Sequence, residues 1–263
     1  MRGRAGMTEG LRKTQEQRHY DRRAGDLDDP QYDWTSGAAR MNPALRAPYR
    51  HLEDLLGDCS GKRILDFGCG HGIFSIAPAK HGAQVVGVDI SPRSLAFARR
   101  RSSREQVSGR TQFCVGDCES LPFPDDTFDL VMSCGVLSCL NLRHGISEVA
   151  RVLRPDGRAI FVDTLGHNPV INLRRRWAAW RGQRTDWTTG HILTLPDLRI
   201  FDQQFSRCSV RPFDLATLLL ARCSWHAQWL LHAASNVDRW VLERTALHRL
   251  AFKVVVEVSG PKT

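Results

Sequence analysis

The sequence predicts an α/β protein built on a doubly wound, mostly parallel sheet, and three observations carry that expectation. Short apolar runs alternate with longer helical stretches between residues 62 and 164, the pattern of a parallel sheet covered on both faces. A cluster of glycines, Gly68, Gly70 and Gly72, follows the first run directly. Acids stand at the tips of three successive runs: Asp66, Asp89 and Asp117.

Residues 1–40 are polar and charged without clear periodicity, which predicts a mobile arm. In MNPALRAPYRHLEDLLG a helix is expected, with Asn42 as its cap, Pro43 in its first turn and Gly57 at its end. KRILDF reads as the first strand, followed by the glycine turn and a helix reaching about Lys80. QVVGVDI is the second strand, and Ser91-Pro92 opens the helix after it. TQFCVGD and TFDLVMSC are the third and fourth strands. HGISEVARVL is a helix ended by a turn at Pro155-Asp156-Gly157, before the fifth strand GRAIFVDTL. Residues 166–195 break the rhythm as an insertion. The helix LPDLRIFDQQF, a strand around CSVRPF, helical material at 214–249 and a last strand LAFKVVVEV complete seven strands.

The composition, 42% hydrophobic and 25% charged over 263 residues, is that of an ordinary soluble globular chain. The N-terminus lacks a signal-peptide pattern. The most apolar stretch, LATLLLARCSWHAQWLLHAA at 215–234, is interrupted by Arg222, His226 and His232 and reads as amphipathic helices over a pocket. No membrane span is expected, and the chain reads as cytoplasmic. Eight cysteines without a CxxC pair read as buried thiols and give no metal site. The net charge of +9 gathers in the first 23 residues and in RRRWAAWRGQR at 174–184. That run reads as a solvated arginine-rich face; a nucleic-acid surface is the alternative, without any recognisable nucleic-acid module to support it.

Glycine reaches φ > 0 cheaply and lets other groups approach the backbone closely, so three in five residues after a strand need a reason. A nicotinamide fingerprint from Gly68 fails at its sixth position, Ile73, and GDCSGKR has the wrong spacing for a P-loop. What stands here is D-x-G-x-G-x-G. Ligands of such sheets bind at the carboxyl ends of the strands. There Asp66 would hold the turn and face a cationic ligand, Asp89 would suit ribose hydroxyls, and Asp117 could accept from an adenine amino group.

ILDFGCGHG, VVGVDIS, GDCESLPFPDDTFDLV and EVARVLRPDGRAIFVD together resemble the class I S-adenosylmethionine-dependent methyltransferases, in the small-molecule branch called type 11. The resemblance implies a Rossmann-like methyltransferase fold with S-adenosyl-L-methionine as cofactor. It places Asp66, Gly68, Cys69 and Gly70 against the methionine part, Asp89 on the ribose and Ile90 beside the adenine. Asp117 and the Cys118 backbone would read the adenine edge, and Ser133 and Cys134 would border the sulfonium. Ser138 stands where the family often has a histidine, and Asp163 where a glutamate is common. On this reading residues 1–40 form an arm or lid and 41–165 the cofactor-binding core. Residues 166–249 form the acceptor-side lid with a returning strand, and 250–263 the final strand and tail.

The expected reaction is methyl transfer to oxygen or nitrogen of a small-molecule acceptor, in keeping with secondary metabolism. An acceptor hydroxyl or amine must lose a proton: His167 and His191 are the expected bases, Tyr20 and His19 of the arm are further candidates, and Tyr20 and Asp163 are placed on the substrate side. The arm with Tyr20 and Tyr32, the insertion and the helices at 214–249 could close over both ligands, and Trp177, Trp180, Trp187, Trp225 and Trp229 would suit a flat apolar acceptor or simply pack the lid. Two other readings stand beside this one. The first is an RNA-directed methyltransferase using the basic patches; the second is a protein that keeps the cofactor fold without methylating.

Overall fold

The computed structural model describes residues 9–25, 33–220 and 228–262. Seven strands form one sheet: β1 (Arg63–Phe67), β2 (Gln84–Asp89), β3 (Thr111–Val115), β4 (Phe128–Cys134), β5 (Leu153–Thr164), β6 (Phe205–Phe213) and β7 (Lys253–Pro261). Their order is β3-β2-β1-β4-β5-β7-β6. The first five run parallel, whereas β7 lies antiparallel to both β5 and β6. The chain reverses direction in strand order between β1 and β4, so a crevice opens at the carboxyl ends of those two strands.

Alternation along the strands builds a core on each face. Leu65, Phe67, Val131 and Phe161 face one layer with Ile146 and Val149 of α5 (Leu142–Val152) and Phe201 of α8 (Arg199–Gln204). Ile64, Leu130, Met132 and Ile160 face the other, with Leu52 and Leu56 of α2 (Ala47–Leu56) and Ile76 of α3 (Ile76–Lys80). Completely buried side chains of this size contribute about 1.5–3 kcal/mol each. α4 (Pro92–Arg104) packs against β3, and the Ser91 hydroxyl accepts from the Ser94 amide as its cap. Beyond β5 come α6 (Pro169–Trp180), α7 (Asp186–Gly190), α9 (Thr217–Leu220) and α10 (Gln228–Arg244). Among the described residues no helix is long and apolar enough to cross a membrane.

Three local expectations need correcting. The arm is not without regular structure: Glu9–Gly25 is a helix, α1, packed against α4. The helix expected from Asn42 is broken into a short 3-10 turn, Pro43–Leu45, capped by the Asn42 side chain, and then α2. Pro48 lacks the amide that a helix running on from Pro43 would need at that point. Finally, α5 runs straight into β5 at Leu153, which pairs with Phe128; residues 154–157 bulge out before pairing resumes at Arg158. Tyr32 and Trp225 lie outside the described residues.

Candidate active site

The turn after β1 explains its three glycines one by one. Gly68, Gly70 and Gly72 have φ of 71°, 52° and 71°, values that a side chain disfavours. A Cβ on Gly68 would stand 2.3 Å from Val136 Cγ2, so the loop after β4 closes directly over it. At Gly70 the space is open and the backbone dihedral alone calls for glycine. The Cys69 amide donates to Val88 O at 2.9 Å, and the Gly70 amide to Asp89 Oδ2 at 2.8 Å. On the far side, the buried Arg101 guanidinium donates from Nε to His71 O (3.0 Å) and from Nη1 to Trp34 O (2.6 Å) and Ser36 Oγ (3.1 Å).

The three strand-tip acids have different surroundings. Asp66 is buried beneath the turn and accepts from Ser75 Oγ at 2.5 Å. Burial, with the Asp89 charge adding to it, pushes its carboxyl up to about 7. Asp89 accepts from the Gly70 amide on one oxygen and the Ser91 amide on the other. Burial raises its carboxyl as well, opposed by those amides. Asp117 is the most exposed of the three; the Glu119 amide donates to its Oδ1 and Lys13 Nζ lies 2.6 Å from Oδ2.

A cavity of about 310 Å³ lies along this edge. Of the residues expected at the site it is lined by Tyr20, Gly68, Cys69, Gly70, Asp89, Ile90, Asp117, Cys118 and Cys134. The others stand back from it. Asp66 supports the turn from below rather than facing a ligand. Ser133 is buried and donates to Phe67 O at 3.0 Å, tying β4 to β1. Asp163 is buried and accepts from the Leu137 amide at 2.8 Å and the Thr164 amide at 2.6 Å, so it holds the loop after β4. His167 accepts at Nε2 from the Leu195 amide, 2.9 Å away. His191 is exposed, stacked 3.6 Å from Trp187, with Nδ1 3.0 Å from Trp187 O. Both histidines are used by local loop packing, which the spacing of the sequence could not reveal.

Residues 65–161 match the methyltransferase-domain family Methyltransf_11. This stretch belongs to the type 11 methyltransferases. The chain is 36% identical, over 147 residues, to the biotin biosynthesis bifunctional protein BioHC of Cellvibrio japonicus, covering 56% of this chain and 27% of that protein. It is also 36% identical, over 107 residues, to the ubiquinone/menaquinone biosynthesis C-methyltransferase UbiE of Geobacter sulfurreducens, covering 39% of this chain and 42% of that protein. The chain thus spans less than half the length of either relative. In fold it resembles geranyl diphosphate C-methyltransferase from Streptomyces coelicolor A3(2), with a TM-score of 0.63, 18% identity, and coverage of 97% of this chain and 100% of that one.

Helix α1 walls the cavity on the side where the arm carrying Tyr20 was expected, and it brings Arg12 and Glu16, which the sequence did not single out. Arg12 meets the buried Glu119 carboxylate at 2.6 and 2.7 Å and donates to Cys139 O at 3.0 Å. Its guanidinium also lies 4.6 Å from the Trp187 ring centroid. The Tyr20 hydroxyl stands 3.0 Å from Cys139 Sγ, and the Ser91 hydroxyl donates to Asp21 at 2.6 Å. Glu16 is buried: one carboxylate oxygen accepts from the Thr185 hydroxyl, while Oε2 has no hydrogen-bond partner among the described residues. Burial raises its carboxyl, against the Thr185 hydroxyl and Arg12. Arg12, Glu16, His19 and Arg23 recur at helical spacing. That polar stripe was the available signal, hidden from a search for apolar periodicity.

His71, also missed, lines the cavity, and burial beside Arg101 lowers its imidazole to about 4. Four thiols, Cys69, Cys118, Cys134 and Cys139, line it too, each raised by burial, and the seven described cysteines are all free. Among the described residues one group, Glu9, Glu119 and His144, brings possible metal-ligand atoms within 4.8 Å of one another. Arg12 and Lys13 already neutralise its carboxylates, so it reads as an ion-pair network.

Proposed function

We propose that the whole chain is an S-adenosyl-L-methionine-dependent methyltransferase acting on a small-molecule acceptor. One observation carries the reading: a single cavity joins the glycine turn to the Asp89 and Asp117 carboxylates, at adjacent strand tips inside the methyltransferase domain. The residues fit such a cofactor. Each Asp89 oxygen accepts one amide, which leaves it a lone pair for a ribose hydroxyl. Gly70 leaves open space where a side chain would intrude. Asp117 and the Cys118 amide would read the adenine edge, Ile90 would flank the ring, and Cys69 and Gly68 would border the methionine part, with Asp66 supporting them.

The cofactor supplies a methyl group already activated on a sulfonium. The protein's task is therefore to hold the acceptor in line and keep the site dry; good positioning supplies on the order of 7–11 kcal/mol of a barrier. Cys134 lies on the cavity wall at the end of β4, the edge assigned to the reacting group. Ser133 and Asp163 position that edge through Phe67 and Leu137. Neither His167 nor His191 lines the cavity, so we assign acceptor contact to Glu16, the one carboxylate of α1 in the cavity lining. The two relatives' names point to unlike acceptors, and none is carried over.

Calorimetric titration with S-adenosylhomocysteine tests the reading. Micromolar binding that Asp89→Ala weakens at least tenfold, about 1.4 kcal/mol, is the expected result. No binding by the folded wild type would overturn it. A screen of small hydroxyl and amine acceptors then follows, in which Glu16→Gln loses turnover while retaining the wild-type affinity for S-adenosylhomocysteine.

A further inference from the structure

Helix α6 exposes an apolar stripe that the methyltransferase domain does not use. Val170, Leu173, Trp177 and Trp180 are 65%, 70%, 56% and 82% exposed. At about 100° per residue these four side chains fall within an arc of about 80° on one side of the helix. The opposite side is fixed inward: Ile171 is buried, and the buried Arg175 donates to Leu165 O at 3.1 Å. Asn168 caps the first turn and donates to Leu250 O at 2.9 Å. The stripe therefore faces outward as a property of the fold.

Its flanks are cationic. Arg174 and Arg181 border it on one side and Arg176 on the other, all three exposed. The Arg181 guanidinium rests 4.7 Å from the Trp177 ring centroid. No acidic residue occurs from Pro169 to Arg184. An apolar stripe bearing tryptophans between rows of arginines matches the boundary of an anionic bilayer. There, indole rings sit at the headgroup level and guanidinium groups meet lipid phosphates. A helix of 12 residues is too short to span a membrane but long enough to lie in its surface.

We propose that α6 docks the protein on an anionic phospholipid surface, with Val170, Leu173, Trp177 and Trp180 entering the headgroup boundary and Arg174, Arg176 and Arg181 pairing with phosphates. The proposal is independent of the methyl-transfer reading, since it concerns a face outside the cavity and its test requires no activity.

The test is co-sedimentation of the full chain with vesicles of phosphatidylglycerol, and separately of phosphatidylcholine, at low and high salt. The wild type is expected to bind phosphatidylglycerol vesicles more tightly than phosphatidylcholine ones, and less tightly as salt rises. W177S/W180S is expected to bind at least tenfold more weakly, and R174Q/R176Q/R181Q to lose the preference for anionic lipid. Each variant must retain the wild-type thermal transition. If a variant is unfolded, V170S/L173S replaces the tryptophan pair with smaller changes on the same stripe. Equal binding of the wild type and the folded stripe variants overturns the proposal, whether that binding is strong, absent or sensitive only to the arginines. Wild-type dimerisation in sedimentation velocity without lipid, abolished by the stripe variant, also overturns it, because the stripe then covers a second copy of the chain.

Discussion

The Gly70 amide donates to Asp89 Oδ2 at 2.8 Å, so the turn after β1 and the tip of β2 form one hydrogen-bonded unit. Asp89 thereby shapes the turn as well as facing the cavity. Asp89→Asn retains one acceptor oxygen and must give up either the Gly70 or the Ser91 amide. Even without ligand, amide exchange at Gly70 or Ser91 should accelerate measurably in hydrogen-exchange mass spectrometry. Exchange equal to wild type at both sites would show that the turn stands without the acid.

Gly68→Ala should be among the most damaging single-methyl changes in the domain. The new Cβ would approach Val136 Cγ2 to 2.3 Å and would sit at φ 71°. Overpacking and left-handed strain together predict a loss of about 1–3 kcal/mol in urea denaturation. Adding Val136→Ala should recover the packing part and leave the backbone part.

Arg12→Ala should release α1 rather than unfold the sheet. The pair it breaks is buried at both ends, with side-chain exposures of 5% and 2%, and leaving Glu119 buried without its cation is costly. Undocking the helix lets water reach that carboxylate at the smaller cost of local unfolding. Limited trypsin digestion should then cut between Lys13 and Arg23 much faster than in wild type, with the main thermal transition moving by less than about 4 °C.

Asp214 makes stability fall as pH rises. It is buried, holds a φ of 64°, and its Oδ2 has no hydrogen-bond partner among the described residues. Burial pushes its carboxyl to about 7, with Lys253 opposing and Asp238 adding to the shift. The unfolded chain gives up this proton near pH 4 and the folded one near pH 7, so the folded state binds more protons between those values. Stability contributed by the neutral form is complete below about pH 4 and is lost by about pH 7. Asp214→Asn, which keeps the amide-like neutral shape and tolerates positive φ, should gain about 1–2 kcal/mol on wild type at pH 8 compared with pH 5. A pH-independent difference in urea denaturation would refute this assignment.

The sheet was legible because its information is local. The apolar runs at 63–67, 84–89 and 128–134 are buried on both faces, and the caps at Asn42 and Ser91 were named by residue type alone. The acids at strand tips were legible for the same reason, yet their roles separated only in three dimensions: Asp89 and Asp117 face the cavity, whereas Asp66 lies beneath the turn. Helix α1 escaped because it buries Arg12, Glu16 and His19, which need partners more than 90 residues away for the two charged groups. His167, named for its strand-end loop, and His191, named from the resemblance of its segment, both stand off the cavity, because neither signal fixes where a loop side chain turns. The 154–157 bulge escaped because a Pro-Asp-Gly triplet signals a turn equally well inside a strand and between elements.

Arg101 links two segments distant in the chain. Its guanidinium grips the carbonyl at His71 and the backbone at Trp34, and the Gly37 amide donates to Ile73 O at 2.8 Å nearby. The glycine turn and the stretch leading into α2 are thus yoked like two plates on one hinge pin. A displacement of the stretch at 34–37 therefore reaches the floor of the cavity by two routes, the Arg101 guanidinium and the Gly37–Ile73 backbone hydrogen bond.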